Sequence, residues 1–350
     1  MKRTMKKMVS MALTGTMAVA VLAGAGTSEV KAADKAKIGV LVADVSGEEA
    51  QGFRSYYENY IAGNYDVEFN YTDALQSAED EKTAIEKFAS QGCQAIISFS
   101  SNDRVQQIET CEKYGVYYAV ASGVLDDAQY ETYKTYEYFA GQVGPGNDTE
   151  FEAGKDMGAY YKEQGVSKVA IYGAFIPNPM HVYRVAGVLN GLGCTYGGES
   201  DMNAIAGQIF QDQTVDLSKV EGDVEVVSYL QGYGDTTTDE LNAAIQKTPD
   251  AFISVGMATT FFAQSLSEAG ISFSDIDSFT ETNGNSMKNG TLTYLAGKYS
   301  SSIGPVFALV MNAINGNVIR DEDGNAPSIS QGYLVATDSD TFDKYSVSDS

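Results

Sequence analysis

Short unbroken apolar runs alternate with segments of helical periodicity along most of the chain, and this rhythm restricts the fold more than any other feature. KIGVLVADV (37–45) reads as a strand buried on both faces, because its apolar residues run continuously instead of alternating. Residues 48–62 then place Phe53, Tyr56, Tyr57 and Tyr60 at i, i+3, i+4 and i+7, the spacing of one helical face. Further strands are predicted at 67–71, 95–100 and 116–122, with helices at 77–91 and 103–114 between them. Such an order specifies an open parallel sheet with helical crossovers on both faces.

The rhythm then restarts. Helices are expected at 150–164, 181–192, 239–247, 260–269 and 303–314, and strands at 168–173, 224–230, 251–256, 278–282 and 291–297. The glycine-rich YFAGQVGPGNDT (138–149) lies between the two series and reads as a crossover. A chain of 350 residues is long for one core. The expectation is an α/β protein of two Rossmann-like, doubly wound parallel-sheet lobes joined by a hinge.

The N-terminus has a different character. MKRTMKK precedes a mostly apolar run to Ala23, and Val30-Lys31-Ala32 supplies the small residues that a signal peptidase needs. Residues 1–32 therefore read as a secretory leader, cleaved after Ala32 or kept as an anchor, and the protein is expected in a periplasm or outside the cell. In Leu22-Ala23-Gly24-Ala25 an alanine stands where a lipoprotein signal carries cysteine, so no thioether lipid can form there. The formal net charge of −24 repels nucleic acid and argues against it as a partner. Three cysteines, Cys93, Cys111 and Cys194, are too few for a disulfide framework. They read as small buried thiols, with a Cys93–Cys111 bridge as the alternative. A single histidine, His181, leaves no His-rich metal site, and no zinc-protease, phosphate-loop or paired CxxC motif is present. No catalytic residue, metal or cofactor is assigned.

In open parallel sheets ligands bind beyond the carboxyl ends of the strands. The residues there are Asp44 and Ser46 after the first strand, Ser100, Ser101, Asn102 and Asp103 after the third, and Ser122 after the fourth. In the second series they are Phe175, Asn178, Gly256, Met257, Glu281, Asn283 and Lys298. Phe53 and Arg184 lie one to two turns into helices that follow such loops. The set is rich in short hydrogen-bonding groups, which suits a small polyhydroxylated ligand, and it holds no nucleophile–base pair. Each member has a plainer alternative. Ser46, Asn102 and Asp103 can cap helices, Phe53 can pack in a core, Arg184 and Lys298 can be surface charges, and His181 can serve packing or capping.

A wider likeness rests on the order of several segments. KIGVLVADVSGEEAQGF, QGCQAIISFSSND, EFEAGKDMGAYYKEQGVSKVAIYG, YRVAGVLNGL and DAFISVGMATTFFAQSLSEAG follow one another as their counterparts do in the type I periplasmic binding protein superfamily, which the chain resembles. The resemblance implies a monomeric, non-enzymatic receptor that closes over a small polar solute, a sugar or a nucleoside, and delivers it to an ABC permease. It implies an N-terminal lobe of 33–143 plus about 300–325 and a C-terminal lobe of 144–299 plus about 326–345, with the ligand cleft between them. Arg184 matches an arginine that binds ring hydroxyls in sugar-binding members. The chain departs from those members at Ser122-Gly123, where Asp-Arg is usual, and at Gly256-Met257, where Asn-Asp is usual. GAFIPNPM, Gly52-Phe53 and Lys298 are similar to features of the nucleoside-binding branch. The same lobes can serve a chemoreceptor or histidine kinase as a sensor. A secreted hydrolase would need carboxylates such as Asp44, Asp103 and Glu281 to converge.

Overall fold

The structure, a computed structural model, describes residues 35–174, 176, 178–232 and 236–348. Residues 1–32, read above as a leader, and Phe175 lie outside the described residues. β1 (Ala36–Val42) leads to α1 (Glu48–Ser55), which runs through a π-helical turn at Tyr56–Ile61 into α2 (Ala62–Asn64). There follow β2 (Val67–Ala74), α3 (Ala78–Ser90), β3 (Ala95–Ser98), α4 (Arg104–Tyr114), β4 (Tyr117–Ala121), α5 (Asp127–Tyr133) and β5 (Phe139–Gly144). The second series begins with α6 (Asn147–Glu163), β6 (Lys168–Ala174) and α7 (Pro179–Gly191). A small antiparallel pair, β7 (Thr195–Tyr196) and β8 (Val220–Glu221), brackets α8 (Met202–Asp212). Then come β9 (Glu225–Gln231), α9 (Thr238–Gln246), β10 (Ala251–Ser254), α10 (Ala258–Ala269), β11 (Ser272–Ser278), α11 (Glu281–Lys288) and β12 (Leu292–Lys298). The chain closes with α12 (Gly304–Ile314), β13 (Ser328–Ser330), β14 (Leu334–Ala336) and α13 (Ser339–Ser348).

The strands form two large sheets of equivalent order, β13-β5-β4-β3-β1-β2 and β14-β12-β11-β10-β6-β9. All pairings within them are parallel except β12 with β14. Each sheet carries an apolar cluster on each face, so the continuous hydrophobicity of strands such as Ala95–Ser98 meets a core on both sides. The two-lobe α/β architecture expected from the sequence is present. The chain changes lobe after β5, after β12 and between β13 and β14. Gln331 ties these crossovers together, its amide N donating to Gly144 O (3.2 Å) and its Nε2 to Ser302 O (2.9 Å).

The second lobe depends on a close helix crossing. A Cβ on Gly154 of α6 would lie 2.0 Å from Arg184 O, and one on Gly187 of α7 would lie 2.0 Å from Phe151 O. Gly158 and Gly191 extend the contact, with Cβ positions 2.4 Å from Val188 O and 2.1 Å from Lys155 O. No side chain fits between these backbones, so the glycines set the helix separation.

Several expectations need correction. Residues 139–144 are not loop but the fully buried β5, and only 145–146 separate it from α6. The strand expected at 278–282 lies earlier, at Ser272–Ser278, and α11 begins at Glu281. Asp275 and Asp277 lie within that strand, where their carboxylates accept hydrogen bonds from Ser254, Thr259, Ser278 and Asn283. Residues 328–330 belong to the first sheet, so the last change of lobe falls after Ser330 rather than near 326. The short α5, α8, β13, β14 and α13 were not anticipated. Cys93, Cys111 and Cys194 are buried and unpaired, so the Cys93–Cys111 alternative is not realised.

Candidate ligand site between the lobes

The carboxyl edges of the two sheets face each other and are bonded across the gap. Glu48 and Glu49 occupy the first turn of α1, where the helix dipole favours carboxylates. Glu48 accepts from Thr282 Oγ1 and, at 3.3 Å, from Thr282 N in the first turn of α11. Glu49 accepts from Ser278 Oγ at the end of β11 and from Lys298 Nζ at 3.4 Å. Lys298, the last residue of β12, also donates to Ser122 Oγ (3.2 Å) beyond β4. Ser122 adopts left-handed backbone (φ 55°), an unfavourable choice for a residue with a Cβ. The loop it starts packs tightly on the crossover, for a Cβ at Gly144 would lie 2.0 Å from Gly123 N.

Buried carboxylates hold the loops on each side. Glu81 of α3 is fully buried and accepts from Ser100 Oγ, Asn102 N (2.9 Å), Asn102 Nδ2 (3.1 Å) and Asp103 N (2.9 Å). In the second lobe Asp275 is fully buried and accepts from Ser254 Oγ (2.9 Å), Thr259 N (2.9 Å) and Ile276 N (3.1 Å). Burial pushes its carboxyl up to about 6 in spite of those donors. Asp277 accepts from Ser278 N (2.8 Å) and Asn283 Nδ2 (3.1 Å). Burial, and then the nearby Asp275 and Glu49, push it up to about 7.

Arg184 sits where α6 and α7 cross and is 4% exposed. Its Nε donates to Glu150 Oε2 (2.6 Å), Nη2 to Glu150 Oε1 (3.2 Å) and Tyr333 OH (2.6 Å), and Nη1 to Val255 O (2.8 Å). Tyr333 belongs to the last crossover, so this buried ion pair anchors that crossover to the second lobe. Lys298 approaches the same ring from the cleft side, its Nζ 6.0 Å from the centroid. His181 Nδ1 donates to Gly173 O (2.9 Å) at the end of β6. Burial first, and Arg184 second, push its imidazole down to about 3, so it stays neutral.

Equivalent lobes with facing strand ends and three crossovers match many solved structures. A myo-inositol-bound ABC-transporter solute-binding protein of Bacillus halodurans is 16% identical with a TM-score of 0.65, over 90% of this chain and 99% of that one. A D-allose-bound periplasmic solute-binding protein of Actinobacillus succinogenes is 15% identical with a TM-score of 0.67, over 89% and 100%. This is the type I periplasmic-binding-protein fold. A LacI-family transcriptional regulator of Silicibacter pomeroyi also shares it, at 12% identity and a TM-score of 0.56 over 85% and 96%. The type I fold therefore does not by itself dictate a function. No protein-family model matches the sequence, and no curated protein matches it.

Within this type I fold the sequence-selected residues divide. Ser122 and Lys298 meet directly across the cleft. Asn283 is fully buried beneath it, its Nδ2 shared between Asp277 and Ser278 O (2.8 Å). Gly256 lies near the Arg184 guanidinium, and Met257 starts α10 in left-handed backbone (φ 68°). Glu281 is exposed at the start of α11, and Ser101 is exposed beyond β3. Others are occupied locally. Asp44 accepts from Ser46 N (2.9 Å), Ser46 Oγ (3.0 Å) and Gly47 N (3.0 Å); Asp103 caps α4 through Gln106 N (2.9 Å); Asn178 caps α7 through Met180 N (3.1 Å). Ser100 and Asn102 answer to Glu81. Phe53 is 6% exposed and stacks on Phe99 (centroids 5.4 Å apart), so its ring belongs to the first core while Phe99 keeps a partly open face at the strand end. Glu48, Glu49, Asp277, Ser278, Phe99 and Tyr333 were missed. Glu48 and Glu49 carried a usable signal, as carboxylates in a first helical turn directly after a strand-end loop.

Proposed function

We propose that the chain is an extracytoplasmic solute-binding protein that closes two lobes over a small polar solute, a sugar or related polyol, and presents the closed form to an ABC permease. The observation that carries this reading is the bonding of the two facing sheet edges through Glu48–Thr282, Glu49–Ser278 and Lys298–Ser122. These groups are short hydroxyls, carboxylates and one ammonium, and each can exchange its protein partner for a ligand hydroxyl. The structural neighbours that hold myo-inositol and D-allose support a polyol of that size. Affinity would come from several hydrogen bonds made in a cleft that expels water on closing, with Phe99 offering apolar contact. The three crossovers provide the hinge. The protein acts as a monomer without chemistry of its own, and residues 1–32 direct its export.

Native mass spectrometry of protein purified without denaturation, followed by titration calorimetry over sugars, inositols and nucleosides, tests the reading. Retention of one small solute, with saturable binding, is expected. No retained solute and no binder across those classes would sink it. Fractionation of producing cells should find the chain outside the cytoplasm and starting at Ala33.

A further inference from the structure

The charge on the cleft wall restricts what can enter. From the first lobe come Glu48 and Glu49, and from the second Asp277, all at the bonded edges. Lys298 is the one cation that the described residues pair with this set, 3.4 Å from Glu49. Of the other cations at these strand ends, Arg184 is neutralised by the bidentate Glu150, and Arg104 packs beside Gly123 with its Nη1 donating to Val124 O (2.5 Å). Asn283 adds an acceptor: its Nδ2 is spent on Asp277 and Ser278 O, while its buried Oδ1 has no hydrogen-bond partner. Acceptors and negative charge therefore outnumber donors on the closed surface.

We propose that this cleft admits uncharged or amine-bearing solutes and rejects those carrying a carboxylate or phosphate. The inference rests on the solute-binding reading above and names the class of ligand. A solute's hydroxyl and ammonium groups can replace the protein donors that Glu48, Glu49 and Asp277 now hold, and can donate to the Asn283 carbonyl. Once Asp277 has released its proton, an anionic group placed among these three carboxylates in a closing, water-poor cleft meets like charge that Lys298 alone does not offset. Such a mismatch costs about tenfold in affinity or more.

Calorimetry at pH 8, where Asp277 is ionised, with scaffold-matched probes tests this directly: glucose, glucosamine and glucuronate; galactose, galactosamine and galacturonate; myo-inositol and inositol 1-phosphate; adenosine and AMP. For any scaffold that binds, the neutral or amine member is expected to exceed its anionic counterpart by about tenfold or more. Glu49→Gln and Asp277→Asn, made singly, should each narrow that gap at least about threefold. An anionic member that binds as tightly as its neutral parent overturns the proposal, as does a gap unchanged in both variants. If no scaffold binds and no solute is retained in native mass spectrometry, the solute-binding reading itself falls and takes this one with it. The two failures are thus distinct.

Discussion

The loops after β3 and β10 occupy the same place in their two sheets, and each is held by a buried carboxylate from elsewhere in its lobe. Their means differ. In the first lobe Glu81 reaches up from α3, while α4 also caps itself through Asp103. In the second, α10 starts at Met257 with no side-chain cap of its own, and its Thr259 N is satisfied by Asp275 from the adjacent strand. One loop is thus stabilised twice, once by a neighbour in sequence, and the other relies on one remote group whose ionisation is costly. The same contrast runs through the lobes as a whole. The second lobe buries Asp275 and the Glu150–Arg184 pair, and its α6–α7 contact is a glycine crossing that tolerates no added atom.

The largest effect is therefore expected at that crossing. Gly187→Leu would drive a side chain into Phe151 O, forcing α6 and α7 apart, and should cost more than about 4 kcal/mol. Loss of the second lobe's protease resistance while fragments of the first persist would mark the damage as local to that lobe. Next is Arg184→Met, which strands the Glu150 carboxylate at 2% exposure and should cost about 3–5 kcal/mol. A variant of unchanged melting temperature but weakened solute binding would show instead that Arg184 is a ligand contact, as its place in the sequence suggests.

Paired substitutions sharpen the comparison of the two loops. Glu81→Gln replaces an acceptor of four donors with a group that must aim N–H at one of them, and about 2–3 kcal/mol of stability should be lost. Asp275→Asn spoils fewer bonds and removes a charge that burial disfavours, so its cost at pH 8 should stay within about 1 kcal/mol. Chemical denaturation of both variants at pH 8 would measure this. Equal losses would mean that the two carboxylates are equivalent props after all.

That asymmetry also decides what the sequence could reveal. Asp103 caps the helix it precedes, so SFSSND announces both the loop and its role. The cap of α10 lies sixteen residues later on another strand, and nothing in VGMATT points to it. Strand composition misleads for the same reason. Phe139–Gly144 looked like a glycine-rich link, and the strand at Ser272–Ser278 was placed at 278–282, because their partners are distant in sequence. The two-lobe pattern was legible because helix and strand periodicities are local. Lys298 and Ser122 were reachable from the rule that ligands meet strand ends, since position alone selects them. Glu81, Glu150 and Tyr333 were not, because only tertiary packing brings them to Asn102 and Arg184.

The smallest expected effect concerns the partly exposed Asp277, which faces Asp275 within its own lobe and Glu49 from the other, with Lys298 as the cation nearest to Glu49. Its carboxyl, pushed up to about 7, keeps a proton in the folded protein at a pH where the unfolded chain, with an ordinary carboxylate, has released it. Folding then takes up a proton between about pH 4 and 7. The stability that protonated Asp277 confers is complete below that window and is lost as pH rises through 7. Asp275, raised by burial in the same way, contributes in the same direction. Melting temperature should therefore fall from pH 5 to pH 8, and Asp277→Asn should flatten the upper part of that fall. At pH 8 the variant should gain on the order of 1 kcal/mol, well below full linkage because solvent screens a partly exposed group. Since Glu49 comes from the opposite lobe, the same variant should also hold the lobes closed at pH 8, seen as a smaller radius of gyration in X-ray scattering. An unaltered pH slope in Asp277→Asn would show that the carboxylate does not titrate where its surroundings place it, and would leave the second lobe no more pH-sensitive than the first.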